Sequence, residues 1–167
     1  MTGTVYSQRV TQTINDGWKF SLFEGDASTA DFDISGWTDV SIPHTWNAKD
    51  ADDEIPGYFR GKGWYRKVVA VEELIPEQRV YLSFEGANQE TNVFVNGTFV
   101  GNHKGGYSAF TFDVTDYVHA GRNLIAVSVD NSHNPDIAPL SADFTFFGGI
   151  YRDVYLVYTS PVQLSTT

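Results

Sequence analysis

The 167-residue sequence contains no cysteine, so it can form neither a disulfide nor a thiolate metal site. Positive charge is scarce: 11 Lys and Arg stand against 21 Asp and Glu, which gives a formal net charge of −10. Duplex nucleic acid and anionic membranes are therefore poor partners on charge. No apolar run approaches the roughly 20 residues that span a bilayer. The composition thus excludes nucleic-acid-binding, membrane-spanning and disulfide-stabilised classes.

Motifs of common catalytic machinery are also missing. The sequence has no Gly-rich phosphate loop, no H-E-x-x-H and no nucleophile elbow. The histidines, His44, His103, His119 and His133, are far apart and lack the spacing of metal ligands. We therefore predict no metal site and no cofactor from these residues. Carboxylates are plentiful, but the sequence does not single out a catalytic pair.

Short alternating segments of β-forming residues are what the sequence does contain. Val93 and Val95 precede Asn96-Gly97, a dipeptide that favours a two-residue hairpin turn. Similar segments occupy residues 18–22, 37–43, 63–71, 79–84, 110–114, 123–130 and 151–158. No stretch of a dozen residues keeps a 3.6-residue period. About eight strands separated by Gly- and Pro-bearing turns predict an all-β, antiparallel jelly-roll β-sandwich, preceded by a polar tail over residues 1–16.

Aromatic residues make up 15% of the chain, which fits either a β-rich core or a sugar-binding surface. Trp64 and Tyr65 lie in an alternating strand and are assigned to the core. Two long irregular segments, 44–62 and 131–147, are candidates for function, since loops of this length are usually functional or disordered. The second contains Asp143 among phenylalanines. A carboxylate there either meets a structural donor, such as Arg152 or Arg60, or faces a polar ligand in a cleft; the residues alone leave both open.

Seven short motifs then occur in a fixed order. They are Gly63-Trp64-Tyr65-Arg66-Lys67, Val93-Phe94-Val95-Asn96-Gly97 with Val100-Gly101, Gly105-Gly106-Tyr107, Phe112-Asp113-Val114-Thr115, Ala120-Gly121 with Asn123, Val129-Asp130-Asn131 and Gly149-Ile150-Tyr151-Arg152-Asp153-Val154. In this order the chain resembles the N-terminal sugar-binding domain of family-2 glycoside hydrolases, the β-galactosidase, β-glucuronidase and β-mannosidase group. The resemblance covers roughly residues 18–158 and implies a galactose-binding-domain-like sandwich over residues 17–160.

The resemblance implies that this domain carries no catalytic residue. Both catalytic glutamates of the family lie on a later TIM barrel, beyond an immunoglobulin-like domain, so residues 161–167 would begin a linker. The domain alone would be inactive, and it would contribute one wall of the active site in a β-galactosidase-like or β-glucuronidase-like parent. We expect a β-glycoside substrate. A periplasmic or extracellular parent is favoured over a cytoplasmic one, although the N-terminus shows no signal-peptide run.

The resemblance also implies substrate contacts. Asp143 occupies the position of an acid that reaches the sugar in several members and, in some β-galactosidases, helps to hold a sodium ion. Tyr58 and Arg60 belong to a loop that can line the same pocket. Asn131 is a further candidate contact, with bonding to nearby backbone as the alternative. Residues 144–147 replace the Arg-Trp-Tyr stretch of many β-galactosidases, which leaves the preferred sugar open.

Two other functions remain open from the sequence. The domain could be a free-standing carbohydrate-binding module that holds a glycan without a catalytic partner. It could also be a sandwich that binds another protein, in which case no sugar would affect it. The length of the parent chain and the affinity of the isolated domain for sugars discriminate among these alternatives.

Overall fold

The computed structural model of the protein describes residues 9–50, 57–138 and 145–160. In these residues the chain forms strands joined by turns, with short 3₁₀ turns at Trp46–Lys49 and Thr115–Tyr117. The strands are β1 (Arg9–Thr13), β2 (Trp18–Leu22), β3 (Thr38–Val40), β4 (Lys62–Val71), β5 (Arg79–Phe84), β6 (Glu90–Val95), β7 (Thr98–Lys104), β8 (Phe110–Asp113), β9 (Gly121–Asp130) and β10 (Val154–Thr159). No helix in the described ranges is long and apolar enough to cross a membrane.

The strands form two antiparallel sheets. In the described ranges, one sheet has the order β1-β10-β5-β8 and the other the order β3-β2-β4-β9-β6-β7. Buried side chains from both sheets share one hydrophobic core. The structure therefore confirms the all-β sandwich that the alternating segments predict.

The core follows the period of two along each strand. On β5, Val80, Leu82 and Phe84 are fully buried, while the residues between them are exposed or half-buried. Trp18 is also fully buried, and its indole N–H donates to the Ile14 carbonyl at 2.7 Å. Each aromatic core residue removes a large apolar surface from water. Burial of Trp64 and Tyr65 confirms that these two rings belong to the interior.

The predicted N-terminal tail contains a strand. Arg9–Thr13 forms β1 and pairs with β10 along its whole length, from Arg9 opposite Thr159 to Thr13 opposite Tyr155. All five residues of β1 are exposed. An edge strand without a buried face has no hydrophobic alternation, so the pattern that identifies the other strands is missing here. The ordered fold thus begins earlier than residue 17.

The acidic loop before β3 packs against the outer face of the six-stranded sheet. Phe32 and Trp37 lie against a small cluster formed by Ala27, Trp64 and Ala126. The Trp64 indole N–H donates to the carbonyl of Gly25 at 3.0 Å. Part of the loop over residues 24–36 therefore covers Trp64.

One end of the six-stranded sheet gathers the loops that concern function. Lys62, at the start of β4, is in register with Asp130, at the end of β9. Asp130 is in turn opposite Glu90, at the start of β6. Just beyond, the Asn131 N–H donates to the Gly61 carbonyl at 3.1 Å. This end of the sandwich is called the site end below.

Candidate functional site

Aromatic rings are displayed at the site end. Phe59, Tyr107 and Phe147 are 44%, 50% and 46% exposed. The Tyr151 hydroxyl donates to the carbonyl of Gly106, which holds that ring beside the others. Burial chiefly, and the neighbouring hydroxyls of Tyr151 and Tyr58, raise the pKa of Tyr107. We call Tyr58, Phe59, Tyr107, Phe147 and Tyr151 the aromatic rim.

Arg60 lies beside Tyr58 of this rim and beside the buried Phe146, and its position is fixed by two kinds of contact. Its Nε–H donates to the carbonyl of Asn131 at 2.7 Å. Its guanidinium carbon lies 5.2 Å from the centroid of the Phe146 ring and 5.9 Å from that of Tyr58. Both distances allow cation–π attraction. The structure therefore brings together two of the predicted substrate contacts, Tyr58 and Arg60.

Asn131 is fully buried, and its carboxamide bonds to the protein at both ends. Its Oδ1 accepts from the Gly61 N–H at 2.8 Å. Its Nδ2 donates to the carbonyl of Phe146 at 2.9 Å and lies 3.3 Å from that of Phe59. In this structure Asn131 therefore holds the backbone of Phe59, Gly61 and Phe146. Bonding to backbone is the alternative role that the sequence left open. Direct contact of Asn131 with a sugar stays a prediction.

Asn47 is a residue of the site end that the sequence did not single out. It is 3% exposed. Its Oδ1 accepts from the Gly148 N–H at 2.6 Å, and its Nδ2 donates to the Phe59 carbonyl at 2.7 Å and to Asp50 Oδ2 at 2.6 Å. Asn47 is one polar residue in an irregular stretch, and nothing local in the sequence indicates partners so far along the chain.

Hydrogen bonds to Tyr65 and His44 hold Ile150 against the core. The buried Tyr65 hydroxyl lies 2.7 Å from His44 Nδ1 and accepts from the Ile150 N–H at 3.4 Å. The His44 N–H donates to the Ile150 carbonyl at 2.8 Å. Burial lowers the pKa of His44 and raises that of Tyr65. A neutral imidazole that accepts from the Tyr65 hydroxyl satisfies all of these contacts.

Gly149 fits between these groups because it has no side chain. Its φ of +121° is one that other residues rarely adopt. A Cβ there would lie 2.5 Å from the His44 carbonyl oxygen and 2.7 Å from the Tyr65 hydroxyl oxygen. Gly149, the first residue of the last sequence motif, is therefore required by close packing at this end.

Asp143, the principal predicted contact, lies outside the described residues. The predicted cation site beside Asp143 lies outside them as well, because the described chain resumes at Thr145. Within the described ranges, no group of three or more His, Cys, Asp or Glu could hold a metal ion. The geometry at the site end thus concerns the rings, Arg60 and the residues that hold them.

A cavity of about 150 Å³ lies next to the site end, towards the outer face of the six-stranded sheet. Its lining includes Glu90, Asp130 and Asn134 but neither Arg60 nor a residue of the aromatic rim. The Glu90 carboxylate already accepts from Asn102 Nδ2 at 3.1 Å and lies 3.9 Å from Lys104 Nζ. This cavity is therefore separate from the cluster of predicted contacts.

A sequence-family comparison matches residues 11–161 to the family described as "Glycosyl hydrolases family 2, sugar binding domain". Among curated proteins, the chain is 37% identical over 166 residues to a beta-glucuronidase of Bacteroides fragilis, covering 97% of this chain and 22% of that protein. It is 40% identical over 157 residues to a beta-galactosidase of Thermoanaerobacter pseudethanolicus, covering 88% and 19%.

Solved structures give the same picture. The crystal structure of a beta-glucuronidase of Bacteroides uniformis superposes with a TM-score of 0.83 at 46% identity, covering 90% of this chain and 18% of that one. The chain therefore spans about a fifth of the length of the relatives that it matches.

Proposed function

Because the chain belongs to the sugar-binding domains of family-2 glycosyl hydrolases, we propose that it forms one wall of the active site of a longer β-glycosidase. Relatives several times longer support a parent chain with further domains. In the proposal these are an immunoglobulin-like domain and a TIM barrel that carries the catalytic acid and nucleophile. The β-sandwich, of jelly-roll and galactose-binding type, braces the barrel and performs no bond cleavage itself.

The observation that carries this proposal is the position of Arg60 against Tyr58 and the buried Phe146, at the end of the sandwich where Phe59, Tyr107 and Phe147 are exposed. Aromatic rings can cover the apolar C–H faces of a sugar, and a guanidinium donates to its oxygens. Arg60 lies two residues before β4 and is held by the Asn131 carbonyl, so that little entropy is lost on ordering it. Such contacts orient a substrate towards catalytic groups supplied elsewhere.

Asp143 completes the proposed wall. A carboxylate can accept hydrogen bonds from two adjacent sugar hydroxyls, and in the parent it would also be a ligand for a monovalent cation. Relatives named beta-glucuronidase and beta-galactosidase support a β-glycoside as substrate. Aromatic residues at 144, 146 and 147 give this parent its own pocket shape and therefore its own sugar preference.

Substitution of Asp143 in the full-length parent tests the proposed wall. Asp143→Ala should raise KM or lower kcat on an aryl β-glycoside tenfold or more, which is about 1.4 kcal/mol. Asp116→Ala is the matched control, since Asp116 is exposed beside the turn at the opposite end of the sandwich. Kinetics of Asp143→Ala equal to those of the control would remove Asp143 from the site.

The alternative function, a free-standing carbohydrate-binding module, is favoured by the same exposed rings. It predicts that the 167-residue chain binds a monosaccharide or short glycan at millimolar concentration or below in calorimetry. Sugar binding of that strength by the domain alone, without any further domain in its gene, would replace the first proposal with the second.

A further inference from the structure

We propose that Asn47 is a positioning residue for the substrate-facing surface, holding the loop of Arg60 and the loop of Phe147 in one fixed arrangement. This inference rests on the proposed function, because it concerns the surface that the parent enzyme would use. It adds a residue that contacts no substrate and acts through the backbone of its neighbours.

The Asn47 side chain joins loops that are far apart in sequence. Its Nδ2 donates to the Phe59 carbonyl, 12 residues along the chain, and its Oδ1 accepts from the Gly148 N–H, 101 residues along. At 2.7 Å and 2.6 Å both bonds are short, and the residue is 3% exposed. Each of these partners is next in sequence to a residue of the site end, Arg60 or Phe147.

The chemistry of these contacts requires a carboxamide. One end of the group must donate two hydrogen bonds, to Phe59 and Asp50, while the other end accepts from the Gly148 N–H and, at 3.4 Å, from Asn131 Nδ2. A carboxylate of the same shape only accepts, so it would face the Phe59 carbonyl and the Asp50 carboxylate without a donor. A glutamine would extend the group by one methylene in a filled space, since Trp46 and Asn131 already enclose Gly148.

Both backbone polar groups of Phe59, its N–H and its carbonyl, are hydrogen-bonded. These bonds fix the backbone from which the next residue, Arg60, extends. The Phe59 N–H donates to Asp50 Oδ2 at 2.8 Å, and its carbonyl accepts from both Asn47 and Asn131. Arg60 then donates to the Asn131 carbonyl. The guanidinium is therefore held from two sides through a network in which Asn47 has the shortest bond to the Phe59 carbonyl.

The Asn47 side chain bonds to residues of loops and to none in the strands of the two sheets. Its partners Asp50, Phe59 and Gly148 all lie outside the strands. Pairing of β9 with β4 and with β6 accounts for that part of the fold without it. Loss of the carboxamide should therefore release the site end while the sandwich stays folded, which separates a positioning role from a purely structural one.

The test is made in the full-length parent enzyme with Asn47→Asp, which keeps the shape and removes the donors. We expect kcat/KM on an aryl β-glycoside to fall tenfold or more at pH 7. The loss should shrink as the pH is lowered towards about 5, because a protonated carboxyl group regains one donor and because burial beside Asp50 raises its pKa. Gln12→Glu, an amide-to-acid change on the exposed strand β1, is the matched control.

A second variant, Asn47→Ser, guards against effects of a buried charge. It should lose kcat/KM at every pH, without the recovery at low pH. Thermal melting of each variant is measured beside its kinetics. Wild-type kcat/KM in folded Asn47→Asp or Asn47→Ser would overturn the inference. Activity that falls only in proportion to the folded fraction would also overturn it, since the role would then be structural.

The proposed function and this inference fail in different ways. If Arg60→Ala and Asp143→Ala both leave the kinetics of the parent unchanged, the proposed wall is wrong. If either of them lowers kcat/KM while Asn47→Asp matches Gln12→Glu, the wall stands and only the positioning role of Asn47 is lost.

Discussion

Single polar side chains hold the site end, in places where no strand pairing is available. Asn47 and Asn131 each bond at both ends of a carboxamide, and Tyr65 uses its hydroxyl in the same way. Buried polar groups of this kind cost free energy when a partner is removed, because the remaining group is left without a hydrogen bond. Substitution at these positions should therefore affect stability and geometry at the same time.

The half-buried imidazole of His44 should make the stability of the domain depend on pH. Burial lowers its pKa below the ordinary value of about 6.5 that it has in the unfolded chain. The unfolded chain then binds more protons in the window below pH 6.5, so stability is full above that pH and falls as the pH decreases through the window. Urea unfolding of the 167-residue chain between pH 7.5 and pH 5 measures this loss.

His44→Asn is the variant that isolates the effect, because its carboxamide can still accept from Tyr65 but does not titrate. We expect a shallower pH dependence than in the wild type. Some dependence should remain, since burial also lowers the pKa of His103. Equal slopes in the two proteins would show that His44 does not contribute.

At the scale of elements, the hairpin of β6 and β7 is stabilised both by its own turn and by hydrogen bonds to another segment. Asn96 and Gly97 have φ of 51° and 81°, as the predicted two-residue turn requires. The Asn96 carboxamide also donates to the Tyr117 carbonyl and accepts from the Leu124 N–H, both at 2.9 Å. The turn residue therefore anchors the hairpin to the neighbouring segment as well.

Asn96→Ala should lower the free energy of unfolding by about 1–3 kcal/mol, because it removes the hydrogen bonds to Tyr117, Asn123 and Leu124 and places alanine at positive φ. Chemical denaturation of the domain measures the loss. Thr98→Ala in β7 is the matched control. That side chain is exposed, so we expect a change within about 0.5 kcal/mol. Equal losses in the two variants would contradict the anchoring role.

Strands with one buried face could be predicted from the sequence, and features without a periodic signal could not. β5 was predicted over the whole of Arg79–Phe84 because Val80, Leu82 and Phe84 alternate with polar neighbours. β1 was missed because an edge strand with five exposed residues has no alternation. The bounds of a strand can thus be predicted from the sequence when one of its faces is buried. They cannot be predicted when both faces are exposed.

The candidate site divides in the same way. Tyr58 and Arg60 were candidates from the family resemblance because they precede the motif that starts at Gly63; the structure places them side by side, and their contact with a sugar stays a prediction. Asn47 could not be predicted, because its role comes from a carbonyl 12 residues away and an N–H 101 residues away. Hydrogen-bond partners separated by that distance leave no mark on the residues beside Asn47. Only the folded arrangement of loops reveals them.

For the whole molecule, the proposal predicts a domain that binds and shapes but does not cleave. The 167-residue chain should release no detectable aglycone from aryl β-galactosides or β-glucuronides, because the proposed catalytic glutamates belong to another domain. A chromogenic assay at high protein concentration, with the full-length parent as positive control, measures this. Turnover above background that disappears on substitution of an acid within the chain would refute the assignment as non-catalytic.

The order of strands also constrains when this domain can become complete. β10 is inserted between β1 and β5, so the four-stranded sheet cannot close before nearly the entire domain has left the ribosome. The same delay applies to the bond between Asn47 and Gly148. Contacts of such long sequence separation form late in folding. A nascent chain that stops before β10 therefore leaves β1 and one edge of β5 unpaired, which invites aggregation.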